Sequence, residues 1–200
     1  FRKRTSMFAA SKSMRHPTCA RLFSTSHTKV LILGAGAGGK TVSSQLINSG
    51  RVAGKDITIV DPNEYHYYQP GFTMIGGGIF GDADKTKKIE DTYIKRKQMG
   101  LLKIKQGLQL KKEKVVKVQP EENKVTLEDP DTKEQSEMTY DYLVVSTGVA
   151  LRYDKIEGAM EALEDPAEPV GSIYRIDFAY KMSRLREGFH GGQAIFTLPQ

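Results

Sequence analysis

This sequence predicts an α/β fold built on a parallel sheet, and three observations carry the prediction. An apolar run, Val30 to Leu33, leads straight into Gly34, Gly36 and Gly39 at G-x-G-x-x-G spacing. A second run, Ile57 to Val60, ends in Asp61, which lies 22 residues beyond Gly39. A third, Tyr140 to Val145, ends in Ser146-Thr147-Gly148 after a stretch of alternating polar and apolar residues.

A continuous apolar strand is one buried on both faces, as in a parallel sheet. After it, Gly34 permits the tight turn, Gly36 lets backbone approach a pyrophosphate, and Gly39 lets the next helix pack close to the sheet. The start of that helix offers free N–H groups and a positive dipole end to a phosphate. Glycine clusters also make ordinary loops, so the motif takes its meaning from the flanking elements. Lys40 to Ser49 reads as the helix, with Val42, Leu46 and Ile47 facing inward and Gly50 placed to end it. Asp56 to Asp61 reads as the second strand. Asp61 is close to the interval at which an acid accepts from a ribose 2′-hydroxyl; otherwise it is a solvated strand-end carboxylate beside Pro62. A carboxylate there would repel a 2′-phosphate, which favours FAD or NAD over NADP.

The stretch His66 to Gly78 is aromatic and then glycine-rich. It suits either a flat conjugated ring or a turn with aromatic core plugs. His66 by itself is more often a hydrogen-bonded structural residue than a base or ligand. Residues 84–105 interleave charges with Ile89, Tyr93, Ile94, Leu101 and Leu102, which reads as a solvated helix face or, alternatively, a membrane-surface or partner patch. From 108 to 137 the period shifts to two: 114–118 and 124–128 form a hairpin about a turn at 119–123. An acidic turn with Pro130 then precedes a further short strand. This is an antiparallel β-meander inserted after the mononucleotide unit. Tyr140 to Gly148 matches the Ala-Thr-Gly type of signature of two-dinucleotide-binding flavoproteins, in which the strand returns to the FAD site. FAD is then the expected ligand. Residues 151–172 read as a crossover, 177–187 as a helix through Phe178, Met182 and Leu185, and 193–198 as a last strand whose neighbours lie outside the sequence. The expectation is a Rossmann-like FAD-binding fold truncated in its second domain, with a leader over 1–28, an FAD-binding domain over 29–158, and a crossover and second-domain start over 159–200.

The net charge of +6 belongs to the first 29 residues, whose seven Lys and Arg and absence of acids leave −1 for the rest. A basic nucleic-acid footprint is therefore not expected. The leader, rich in Arg, Ser and Thr, has the composition of an organelle transit peptide, and the chain begins at Phe1 rather than Met. Cys19, the single cysteine, lies in this leader, so no disulfide or cysteine-based metal site is expected beyond it. No apolar run reaches the roughly 18 residues that span a bilayer.

Across residues 29–200 the chain resembles the mitochondrial, eukaryotic-type sulfide:quinone oxidoreductases. The resemblance rests on Val30 to Gly39, Ile59-Val60-Asp61-Pro62, His66-Tyr67-Tyr68-Gln69-Pro70, Tyr140 to Gly148 and Ala194 to Pro199. Arg21-Leu22-Phe23-Ser24 similarly resembles a mitochondrial processing site. The resemblance implies that Gly34, Gly36, Ala37, Gly38 and Gly39 border the FAD pyrophosphate and Asp61 the ribose, where the family often has Glu. It implies Gln69 on the flavin side, Val115 at the adenine through its backbone, and Thr147 and Gly148 on the returning strand. It also implies oxidation of sulfide to sulfane sulfur through a pair of redox cysteines, transfer to a small acceptor, and delivery of electrons through FAD to ubiquinone, at the mitochondrial inner membrane as a peripheral protein. Both redox cysteines of the family fall after Gln200, so no catalytic residue and no metal ligand is assigned. The alternatives are a type II NADH dehydrogenase, which lacks the His-x-Tyr-Gln-Pro piece, and a non-catalytic FAD-binding module.

Overall fold

The computed structural model describes residues 25–81 and 83–197, so the leader over 1–24, with Cys19, and the last three residues lie outside the described part. Strand β1 (Thr25–Leu33) turns into helix α1 (Ala37–Asn48), and β2 (Ile57–Val60) follows. Then come β3 (Tyr65–Tyr67), α2 (Pro70–Gly76), α3 (Ala83–Ile89), β4 (Lys95–Lys97) and α4 (Gln98–Leu101). The meander is β5 (Gln109–Lys111), β6 (Lys114–Gln119), β7 (Lys124–Glu128) and β8 (Gln135–Val145), after which α5 (Ala159–Glu164) and α6 (Ile176–Gly188) complete the order.

The main sheet has six strands in the order β5-β2-β1-β8-β7-β6. β1 lies at its centre, parallel to β2 on one side and β8 on the other, with Val30 opposite Ile57 and Leu33 opposite Val145. Side chains alternate between faces along β1. Val30 and Ile32 join Ile57 and Ile59 under α1 residues Val42, Leu46 and Ile47, while Leu31 and Leu33 join Val60, Val125, Leu127 and Met138 under the meander. Both faces are covered, which is why the run carries no polar residue between Val30 and Leu33.

β1 starts at Thr25 rather than Lys29, because Thr25 to Thr28 pair with Glu137 to Tyr140. The last four residues assigned to the leader are thus part of the sheet. The same pairing fuses the two strands expected around 135–145 into one: β8 pairs antiparallel with β7 through 135–139 and parallel with β1 through 137–145. The hairpin over 114–128 forms with Asn123 in the left-handed region at its tip. A bulge leaves Val116 without a direct partner between Val115 and Lys117.

Residues 84–105 do not form one solvated helix. Lys95 to Lys97 make β4 against Tyr65 to Tyr67, with the Lys95 ammonium 4.7 Å from the Tyr65 ring centre. A π-helical turn over Glu90–Ile94 buries Glu90, whose carboxylate accepts from Tyr180 Oη of α6 at 2.5 Å and from Lys87 Nζ at 3.3 Å. α6 packs on α2, where Ala179 joins Phe72, Ile75 and Ile94 in a third cluster. The run expected as a final strand is irregular over 193–197, and Leu198 lies outside the described part. Ile195 and Phe196 are 85% and 84% exposed and have no sheet partner among the described residues, and an isolated apolar strand without a neighbour has no ladder to join.

Candidate functional site

The site is the junction where β1, β2 and β8 end together. Gly34 leaves β1 with φ +97°, its N–H donating to Val60 O at 2.8 Å. A Cβ there would stand 2.4 Å from Ser146 O, so both the conformation and the space require glycine. A Cβ on Gly39 would stand 2.0 Å from Gly34 O, which means that α1 rests directly on the turn. Gly36, the N-cap of α1, meets nothing within 4 Å. Backbone is therefore exposed to open space at the position where a pyrophosphate would approach, and a Cβ would fill that cradle. No side chain caps α1 and no acid lies in its first turn, so its N–H groups point outward unpaired by side chains. Ala37 and Gly38 are exposed beside them.

Ser146 locks the junction. Its N–H donates to Leu33 O at 2.8 Å, and its hydroxyl donates to Leu33 O at 2.9 Å and Gly34 O at 3.0 Å. Sequence reading passed over this residue in favour of Thr147; a hydroxyl at the last paired position beside the first strand was the available signal. Thr147 and Gly148 follow, both exposed, with Gly148 at φ +72° and open space where its Cβ would be.

Asp61 is 9% exposed and faces the same turn. Oδ2 accepts from Ala35 N–H at 2.7 Å, and Oδ1 accepts from Asn63 N–H at 2.8 Å and Asn63 Nδ2 at 3.0 Å. Three of a carboxylate's roughly four acceptor directions are thus taken by the protein. The short acid reaches back to hold the glycine loop, and about one direction is left for a ligand hydroxyl.

Two ionisable groups stand beside it that the spacing of the motif did not single out. Lys40, read only as a helix start, has its ammonium enclosed without a hydrogen-bond partner among the described residues. Burial lowers its pKa to about 8, against the opposing pull of Asp61. His66, half-buried in β3, is held below the ordinary imidazole range by burial first and by the Lys40 charge second, again against Asp61.

The aromatic stretch divides. Tyr67 and Phe72 pack edge-on with ring centres 6.0 Å apart in the cluster under α6, so these two rings are core. Tyr68, Gln69 and Pro70 are exposed, and Gln69 sits at the N-cap of α2, where its carbonyl accepts from Phe72 N–H at 2.9 Å. Val115 lies in β6, three strands from β1 and next to the bulge. The fold thus gathers Gly34, Gly36, Ala37, Gly38, Gly39, Asp61, Thr147 and Gly148 at one junction, with Gln69 and Val115 on separate elements. Among the described residues no group of three or more His, Cys, Asp or Glu could hold a metal, and no helix is long and apolar enough to cross a membrane.

Chemically, the junction offers unpaired backbone N–H groups and open space to an anionic dinucleotide. Comparison with known proteins agrees with that geometry. The family profile described as pyridine nucleotide-disulphide oxidoreductase matches residues 28–179. A protein of Dictyostelium discoideum named mitochondrial sulfide:quinone oxidoreductase is 40% identical over 86% of this chain and 34% of its own length. One of the same name from Schizosaccharomyces pombe is 35% identical over 88% of this chain and 38% of its own length. Among solved structures, the sulfide:quinone oxidoreductase of the bacterium Aquifex aeolicus is 26% identical with a TM-score of 0.57, over 81% of this chain and 32% of that one. The chain therefore spans about a third of the length of the relatives it matches.

Proposed function

Because the chain belongs to the pyridine nucleotide-disulphide oxidoreductase family, we propose that it is the FAD-binding part of a sulfide:quinone oxidoreductase. The observation that carries the reading is the junction itself: Gly36 opens onto space at the uncapped start of α1, and Gly34, Gly39 and Ser146 fix the backbone around it. In this reading the N–H groups over Gly36 to Gly39 face the pyrophosphate, and the free acceptor direction of Asp61 takes a ribose hydroxyl. Gly148 and Thr147 border the returning strand, Val115 the adenine, and Gln69 the flavin side. FAD, when bound, supplies a two-electron acceptor between a thiolate and a quinone.

The reaction class is oxidation of sulfide to sulfane sulfur, with a small acceptor taking the sulfur and ubiquinone the electrons. Its place is the mitochondrion, peripheral to the inner membrane. The shared name of the relatives at 40% and 35% identity supports this over a type II NADH dehydrogenase. This chain's own part is to bind and orient. Its one thiol is Cys19, and a disulfide needs two, so the 200 residues alone do not oxidise sulfide. The test has two arms. The 200-residue chain binds FAD in a fluorescence titration but reduces no quinone with sulfide; the full-length protein that contains it does reduce quinone. Sulfide-dependent quinone reduction by the chain alone, or none by the full-length protein, contradicts the proposal.

A further inference from the structure

We propose that Lys40 is a cofactor-binding residue whose enclosed ammonium is held for the pyrophosphate of FAD. Lys40 follows Gly39 directly and is the fourth residue of α1. Helical side chains lean back toward the N-terminus, which for α1 is the end that meets the glycine turn. Its Nζ is enclosed yet has no hydrogen-bond acceptor among the described residues. The charged and titratable groups whose fields link to it are Asp61 after β2 and His66 in β3. Asp61 already accepts from Ala35 and Asn63, and no acid lies in the first turn of α1, so among the described residues this cation feels the field of Asp61 but hydrogen-bonds to no anion.

A buried lysine with a structural role looks different, and this chain contains one. Lys181 Nζ, also buried, donates to the carbonyls of Ala162 at 2.6 Å, Leu163 at 3.3 Å and Asp165 at 2.5 Å. An ammonium enclosed without such partners is a cost to the free protein. An anion bound at the turn offsets that cost.

The inference rests on the FAD reading, and its test is calorimetric titration of the chain with FAD at pH 8 in buffers of different ionisation heat. With a free-state pKa of about 8, Lys40 is roughly half protonated there, so anion binding draws in about half a proton per FAD. Lys40→Arg, always charged, binds FAD with no proton uptake. Lys40→Met also takes up no proton and binds about tenfold or more weakly, the usual loss for a charge-assisted hydrogen bond. Its FAD-free form melts higher than the wild type, the reverse of losing a structural residue. Proton uptake that persists in both variants, or a Lys40→Met chain with unchanged affinity and a lower melting temperature, overturns the inference while leaving FAD binding intact. If the wild-type chain binds no FAD, the FAD reading falls and this inference falls with it.

Discussion

Gly36 and Gly39 sit in one motif for opposite physical reasons. Gly39 lacks a side chain because a Cβ would stand 2.0 Å from the carbonyl oxygen of Gly34, and that neighbour is backbone. Gly39→Ala therefore lifts α1 off the turn, and we expect a loss of about 2 kcal/mol or more in denaturant unfolding, at the level of core overpacking. Ser146→Ala removes the hydroxyl that bridges Leu33 and Gly34. It should cost about 1 kcal/mol, the net worth of a typical hydrogen bond, together with weakened FAD binding. Lys40 gives the free chain a pH signature. Its folded pKa, about 8, lies below the ordinary lysine value of 10.5, so the unfolded chain binds more protons between those values. Stability of the FAD-free chain should rise as pH goes from about 8 to 10.5, and the rise should be missing in Lys40→Met when melting temperatures are followed across that range. Neither Ser146 nor Lys40 was legible as a site residue, because each matters through a neighbour more than 20 residues away: Leu33 for one, Asp61 for the other.

Elements formed by local pattern were legible, and elements formed by distant pairing were not. Val30 to Leu33, Ile57 to Val60 and the 114–128 hairpin announce themselves by apolar runs or by period two around a turn. The charged stretch 95–97 is a strand because Tyr65 to Tyr67 lies across from it, a partner that periodicity within the segment does not reveal. The start of β1 was missed for the same reason, since Thr25 to Thr28 are set by β8. The run 193–197, strand-like by composition, is irregular where no neighbouring strand pairs with it. At the C-terminal end of α5, Lys181 takes the place of a cap by donating to three carbonyls at once. Lys181→Met leaves those carbonyls without their donor, that of Leu163 in a buried setting and the other two partly buried. A loss of about 2–4 kcal/mol in chemical denaturation is expected, with α6 loosened from α5 as seen by faster amide exchange. An unchanged unfolding midpoint would show that water replaces the ammonium.

At the scale of the whole molecule, one sheet brings three strand ends to a single point, and the residues between them serve to hold that point rigid. α6 fastens the segment after α5 to the 70–94 region through Ala179 and through Tyr180 on Glu90. Burial of the phenol first, and then its hydrogen bond to the Glu90 carboxylate, push Tyr180 well above its usual range, so this link keeps its proton beyond the pH at which an ordinary tyrosine ionises. The chain spans about a third of its relatives' length, yet it contains the complete glycine turn, the acid after β2 and the returning strand of β8. The central claim is that this junction holds FAD. The most direct measurement is a flavin-fluorescence titration of the wild-type chain beside Gly36→Val, where the added side chain enters open space and φ is an ordinary −68°. Gly36→Val should unfold within about 1 kcal/mol of wild type, the usual cost of an apolar N-cap, and bind FAD at least about tenfold more weakly. Equal FAD affinity in the two chains, with both folded, would contradict the claim.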